Sequence, residues 1–296
     1  MQETAAVVVT YNRLEMLKQC IDHLKHQDIP CDILIIDNAS TDGTQAWLEK
    51  QQGIRYFNTG ANLGGAGGFN YGMRKAVEAG YAYIWIMDDD CFPKTDALSA
   101  LYKADRLLKG RYGWLSSVAL WTDGHECKMN RQKLKKSFYE YSEYMKYGVV
   151  QAEQATFVSL FLCAETIKKE GLPIRDFFIW GDDIEYTRRI SVRKHYPCFV
   201  VGASQVIHAM TLNNGSSIAT DAVERIARYR YAFRNENYLY RKEGLKGIVY
   251  YISKCGLNFV RILINAPDHR GYRMRILLSS MVKGCLFNPK VEYIKE

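Results

Sequence analysis

The chain reads as an α/β protein, a mostly parallel, doubly wound sheet followed by a helical C-terminal extension. Three observations predict this. Short β-branched apolar runs alternate with helical patterns through residues 5–87, at the spacing of βαβ units. Thr10, Asp37 and Asp88 fall where three of those runs end, and open sheets of this kind bind ligands outside the carboxyl ends of their strands. From Val223 onward the alternation gives way to a helical, aromatic-rich pattern.

Taken in order, residues 5–10 form an apolar, β-branched strand, and residues 14–27 carry a helical period. A second strand over 31–36 ends in the polar loop 37–43, which offers an N-cap to a helix over 44–51. Residues 54–57 are a third strand. The Gly-rich stretch 62–70 reads as a turn leading into a helix around 71–79. Residues 81–87 are aromatic and branched enough for a buried fourth strand, followed at once by Asp88, Asp89 and Asp90. Thr95 is then placed to cap a helix over 96–108. Residues 114–150 show no clear period. Residues 151–163 read as strand returning to the sheet, 177–190 as an apolar segment turning at Gly181 into a helix, and 198–208 as a strand ending in histidine. The polar stretch 213–217 marks a boundary, dividing the chain into 1–215 and a basic, aromatic-rich helical region 216–296.

Composition narrows the class. A hydrophobic fraction of 48% with 13% aromatic residues excludes a chain dominated by disorder. Eight cysteines without a C-x-x-C pair suggest neither a zinc site nor a disulfide framework. The N-terminus has no basic n-region or signal core, so a cytosolic, reducing setting is expected. Apolar runs stop short of the roughly 18 residues a membrane span needs. Residues 225–296 hold 15 Lys and Arg against 5 Asp and Glu, while the whole chain carries +8, so the positive charge belongs to the C-terminal quarter. Such a region suits an anionic membrane surface, lying in the interface. Packing on the sheet domain, or a contact between copies in an oligomer, is the other reading. Nucleic acid is disfavoured because no nucleic-acid motif accompanies the charge.

Three carboxylates in a row repel one another unless a cation or donors hold them, and hard ions such as Mg²⁺ and Mn²⁺ take oxygen ligands. Alone, the triplet reads equally as a solvated turn. The glycines at 64, 65, 67 and 68 would let backbone N–H groups approach a phosphate or sugar. They do not spell G-x-G-x-x-G or a P-loop, which disfavours a nicotinamide or NTPase site. Asp182 and Asp183 open a helix, as caps or as a proton acceptor in a pocket beside Trp180, with Glu185 and Arg188 one turn on to orient them. His208 becomes a third metal ligand if its strand ends beside the triplet.

In order, V-V-T-Y-N-R from Val8, D-N-A-S-T-D-G-T from Asp37, N-x-G-G-x-G-G from Asn62, D-D-D from Asp88, W-G-D-D from Trp180 and the late His208 resemble inverting family 2 glycosyltransferases of GT-A fold (nucleotide-diphospho-sugar transferase, Rossmann-like). The resemblance covers residues 5 to about 210. It implies nucleotide-sugar binding by Thr10, Tyr11, Arg13, Asp37 and Asn38, with Asn62, Gly64, Gly65, Gly67 and Asp89 contributing to the donor site. It implies Mn²⁺ or Mg²⁺ held by Asp88, Asp90 and His208. It makes Asp183 the catalytic base and Trp180, Gly181 and Asp182 acceptor-binding; Asp182 stands where many members carry Glu. The Gly-rich stretch and W-G-D-D look most similar to bacterial galactofuranosyltransferases, implying a UDP-galactofuranose donor and a lipid-linked surface glycan as acceptor. Rhamnosyltransferases using dTDP-rhamnose share much of the pattern. A nucleotidyltransferase would want a basic Gly-rich loop after the first strand, and a non-catalytic, membrane-docked sugar-binding scaffold would not need Asp88, Asp90, Asp183 and His208 together.

Overall fold

All seven residues of β1 (Thr4–Thr10) are buried, because the strand lies inside the sheet with helices on both faces. The structure, a computed structural model, describes residues 2–294; Met1 and the last two residues of the expected C-terminal region lie outside the described residues. β1 pairs in parallel with β2 (Asp32–Asp37) on one side and β4 (Tyr83–Asp88) on the other, and β3 (Ile54–Asn58) adds to β2. β9 (Leu160–Cys163) inserts antiparallel between β4 and β6 (Leu115–Leu120). β10 (Phe199–His208) runs parallel to β6 and receives β5 (Cys91–Pro93) and β8 (Val149–Gln154) as antiparallel neighbours. The short β7 (Lys133–Leu134) pairs with β8 at the far edge. The expected mostly parallel sheet is present, with antiparallel strands worked into its second half.

Strand alternation supplies the two cores. Ala6, Val8, Ile33, Ile35, Trp85 and Met87 face α1 (Leu14–Lys25) and α4 (Ala97–Leu108). Ala5, Val7, Leu34, Ile36, Ile84 and Ile86 face α3 (Gly64–Glu78) and α5 (Ala164–Glu170). The parallel register aligns strand exits, with Thr10 opposite Asp37 and Val9 opposite Asp88. α2 (Thr44–Leu48) follows β2, α6 (Asp182–Arg188) follows the Gly181 turn, and α7 (Val223–Ile226), α8 (Tyr229–Lys242), α9 (Leu245–Asn265) and α10 (Arg270–Leu286) form the C-terminal helices.

Three expectations are corrected. The Gly-rich stretch is not a turn before a helix; it is the first turns of α3. A side chain at Gly68 would come within 2.5 Å of Val9, and one at Gly72 within 2.5 Å of Val7, so glycine here lets α3 lie close on the sheet. The N-cap of α4 is Asp96 rather than Thr95. Finally, α9 is by length and composition long enough and apolar enough to cross a membrane, because its few cations interrupt the apolar run without making it polar.

The C-terminal helices do not stand apart from the sheet domain. Arg188 on α6 makes a two-pronged pair with Glu243, both bonds 2.7 Å. The tail after α10 returns to the first domain, where Leu172 N–H donates to the Glu292 carbonyl at 2.8 Å and the Glu292 carboxylate pairs with Arg74 at 2.6 Å and Arg175 at 2.9 Å.

Candidate active site

Asp88, the last residue of β4, and Asp90, just before β5, come together with His208 at the end of β10. One ligand atom from each lies within 4.8 Å of the others. The antiparallel pairing of β5 with β10 achieves this, setting Cys91 opposite His208. The His208 ring is fixed at both nitrogens. Nδ1 lies 2.7 Å from the Asn130 side-chain oxygen, which can only accept, so Nδ1 carries a proton; Nε2 faces Asp90 at 3.1 Å. A neutral ring in this tautomer would present the Nε2 lone pair on the side of the carboxylates.

The electrostatics show an acidic cluster short of positive charge. Burial pushes Asp88 up to about 7, and the neighbouring Asp90 charge adds to it. Burial likewise raises Asp89, to about 6, against bonds from Thr10 and Arg13. For Asp90 burial is outweighed by His208 and Arg13, which hold it down at about 2. Burial would lower His208, but the bonds to Asp90 and Cys127 and the charges of Asp90 and Asp88 raise it to about 10. Two carboxylates and an imidazole, mutually close and only partly neutralised, are a donor set that fits Mn²⁺ or Mg²⁺.

Asp89 turns away from this trio. Its carboxylate accepts from Thr10 Oγ1 at 2.7 Å and Arg13 Nη1 at 3.3 Å, while the same guanidinium also bonds Asp90. Asp89 therefore ties the exit of β1 to the exit of β4. Tyr11 and the Arg13 side chain are substantially exposed beside it. Asp37 is fully buried, accepting from Ser40 N–H at 2.9 Å and Tyr56 OH at 3.3 Å, and so shapes the loop after β2. Asn38 donates to the Gly64 carbonyl at 3.0 Å, and its own buried side-chain oxygen has no partner among the described residues. Asn62 accepts from Gly64 N–H at 2.9 Å, Gly65 faces open space, and Gly67 lies against Leu63.

The second acidic centre opens α6. The segment before it is bent sharply, with positive φ at Phe178 (63°), Trp180 (64°) and Gly181 (86°). Such backbone in non-glycine residues costs of order 1–3 kcal/mol each and persists only where neighbours fix it. Two neighbours do. From α3, Ala66 N–H donates to the Phe178 carbonyl at 3.1 Å, an approach that requires glycine at 64, where a Cβ would sit 2.0 Å from that oxygen. From α8, the fully buried Asn235 amide donates to the carbonyls of Phe177 at 3.0 Å and Trp180 at 2.7 Å.

Asp182 is buried and Asp183 half-buried. Burial raises Asp183 to about 6 despite a 2.7 Å bond from Ile184 N–H. Asp182 is raised well above its ordinary value by burial, by Asp183 and by the charge of Asp88, so the two acidic centres lie near enough to interact. Trp180 lies edge-on to Tyr229, 4.9 Å between centroids, with the Arg225 guanidinium 5.9 Å from its ring centre, so it is anchored to the C-terminal helices and only part of it is free. Glu185 and Arg188 do not orient Asp183: Glu185 is buried against Arg189 and Arg193, and Arg188 is taken by Glu243. The helical period turns both side chains toward these partners instead.

Sequence reasoning missed Asn130 and Asn235. Asn130 closes the short helical turn Lys128–Asn130 in the stretch without period, and no local signal marks it. Asn235 interrupts the basic and aromatic alternation of residues 228–234, the one available hint.

The arrangement can bind a hard cation on one side and remove a proton on the other. Residues 5–108 match the family model "Glycosyl transferase family 2". The chain is 26% identical over 259 residues to galactofuranosyltransferase GlfT1 of Mycolicibacterium smegmatis, covering 82% of this chain and 85% of that protein. The solved structure of GalNAc-T7 with UDP, GalNAc and Mn²⁺ superposes with a TM-score of 0.66 at 12% identity, covering 95% of this chain and 54% of that one. A mannosyltransferase from Pyrobaculum calidifontis, solved with GDP-Man and Mn²⁺, gives 0.54 at 16% identity, covering 97% of this chain and 76% of that one.

Proposed function

We propose that this glycosyltransferase, whose residues 5–108 match the family 2 model on a GT-A fold, transfers galactofuranose from UDP-galactofuranose to a lipid-linked surface glycan, with inversion, at the inner face of the cell membrane. One observation carries the reaction type: Asp88, Asp90 and His208 gather at the strand ends as a donor set for a hard cation, and the Asp182–Asp183 pair opens α6 after a strained turn. The similarity to GlfT1 across most of the chain supports the donor sugar.

In this reading the donor lies over the strand exits. Arg13, exposed and held by Asp89 and Asp90, meets the diphosphate, while Thr10, Asp37 and Asn38 shape the floor under the nucleotide. Asp88, Asp90 and His208 Nε2 would hold Mn²⁺ or Mg²⁺, whose charge offsets that developing on the diphosphate as it leaves. Trp180 and Gly181 border the acceptor sugar. Asp183 takes the proton of the acceptor hydroxyl as its oxygen bonds to the anomeric carbon from the opposite face. The bond from that carbon to the diphosphate oxygen breaks at the same time, and UDP departs with the electron pair.

Thermal shift and turnover with UDP-galactofuranose, UDP-galactopyranose and dTDP-rhamnose, each with Mn²⁺ or Mg²⁺ and with EDTA, test the proposal. Stabilisation and transfer are expected with UDP-galactofuranose. Stabilisation by dTDP-rhamnose alone overturns the donor, and no transfer from any nucleotide sugar overturns the whole reading.

A further inference from the structure

α9 has two apolar faces, and the protein uses one. Gly247, Tyr251, Cys255, Asn258 and Ile262 point inward, at helical spacing, toward α8 and α10. Ile248, Val249, Ile252, Phe259, Val260 and Leu263 recur at intervals of three and four on the other side and are all exposed, Ile252 and Leu263 by more than half. Leu278, Val282 and Leu286 of α10, four residues apart, add a second bare row, Leu286 being 86% exposed. A contiguous apolar surface of this kind marks an interaction site rather than ordinary solvent-facing helix.

The charges on this surface say what it meets. Neither α9 nor α10 contains an Asp or Glu, whereas Lys246, Arg261, Arg275 and Lys283 are exposed on them. A second copy of the chain docking by the same faces would set these cations against their equals. A spanning arrangement of α9 is also disfavoured, because it would tear the inner face from α8, where Tyr251 OH donates to the Phe233 carbonyl at 3.0 Å and Lys254 pairs with Glu236 at 2.6 Å. Apolar rows on helices whose own charges are all cationic, with Asp268 of the joining turn paired to Arg273, match an anionic lipid interface, where the helix lies in the plane of the surface.

We propose that the outer face of α9 and α10 docks on an anionic bilayer. Its inner face shares one hydrophobic cluster with Trp180, which packs on Tyr229 of α8, so docking would couple the loop bordering the active site to the lipid-bound helices. A lipid-linked acceptor would then present its sugar to Asp183 without leaving the bilayer. The inference rests on the proposed function for this purpose only; binding to lipid is measured with no donor or acceptor present.

The experiment is co-sedimentation of the full chain with phosphatidylglycerol vesicles and with phosphatidylcholine vesicles, beside an Ile252→Glu, Leu263→Glu double variant. The wild type should pellet with phosphatidylglycerol, less with phosphatidylcholine and less in high salt. The variant should lose about tenfold or more in partitioning, since each change places a charge in the apolar row. Both sites are exposed, so its thermal melt and its turnover with a water-soluble acceptor should stay at wild-type values. Wild-type protein left in the supernatant, or equal pelleting of the variant, overturns the proposal. Sedimentation velocity that finds a lipid-free dimer broken by the variant also overturns it and assigns the face to a second copy. Lipid binding with no sugar transfer would sink the proposed function and leave the docking surface standing.

Discussion

The side-chain amide of Asn235 donates to the backbone carbonyl of Trp180 across 2.7 Å, joining the C-terminal helix α8 to the turn that delivers Asp182 and Asp183. The C-terminal region thus holds the strained backbone of the active site as well as adding bulk behind it.

Asn235→Ala should leave the Phe177 and Trp180 carbonyls without this donor, at a cost of about 1–3 kcal/mol. The expected signature is a fall in kcat with nearly unchanged donor affinity, since the nucleotide floor lies on other elements. Asn235→Asp, which sets a carboxylate against carbonyl oxygens, should be worse than Ala. Calorimetric UDP affinity beside steady-state kinetics checks this; equal losses in donor affinity and kcat would contradict the assignment.

Asp183→Asn should lower turnover by about 10²–10⁴-fold, the span of general base catalysis, while UDP binding persists. The wild-type pH profile should carry the same residue. A base must be unprotonated to act, and Asp183 is raised to about 6. Activity should therefore be lost as pH falls through about 6 and level off above it. A kcat/KM profile flat from pH 5 to 8 would remove Asp183 from this role.

Asn130→Ala should loosen the His208 ring without touching a ligand atom. Partners of metal-bound histidines typically account for about 10–100-fold in metal affinity. Titrating Mn²⁺ into EDTA-treated enzyme should show the concentration for half-activity rising by that order, with maximal rate recovered at high Mn²⁺. His208→Ala should not be rescued in the same way.

Gly64→Ala and Gly65→Ala should diverge. At 64 the backbone has φ of +70° and a Cβ would meet the Phe178 carbonyl at 2.0 Å, so the melting temperature should drop sharply. At 65 nothing lies within 4 Å, and alanine in a helix gains up to about 1 kcal/mol over glycine. Equal melting temperatures for the two variants would contradict the seating of Phe178 on α3.

What could be read in the sequence was local. The βαβ alternation through residue 87 and the acidic triplet at a strand exit follow from side-chain period and adjacency, and both can be seen without a fold. The Gly-rich segment was misread because glycine weakens an isolated helix, whereas here close approach to Val7 and Val9 decides the matter. Asn130 and Asn235 act on residues 78 and 55 positions away, and no periodicity encodes a partner at that separation. Glu185 and Arg188 show the opposite error: neighbours of Asp183 in sequence, they are claimed by Arg189, Arg193 and Glu243.

The strap formed by Glu292 has a consequence for synthesis. It reaches back 218 residues to Arg74 and also grips Arg175, just upstream of the strained turn. On a ribosome the sheet can assemble long before these contacts exist, because its strands are complete by residue 208. The turn bearing the acidic pair gains its Asn235 donor only with α8, and the Glu292 grip on the nearby Arg175 later still. Emergence of α8, rather than completion of the sheet, then becomes the moment at which the reaction centre is set, and a nascent chain cut short of Asn235 should be folded in its sheet but unfinished at its acidic pair.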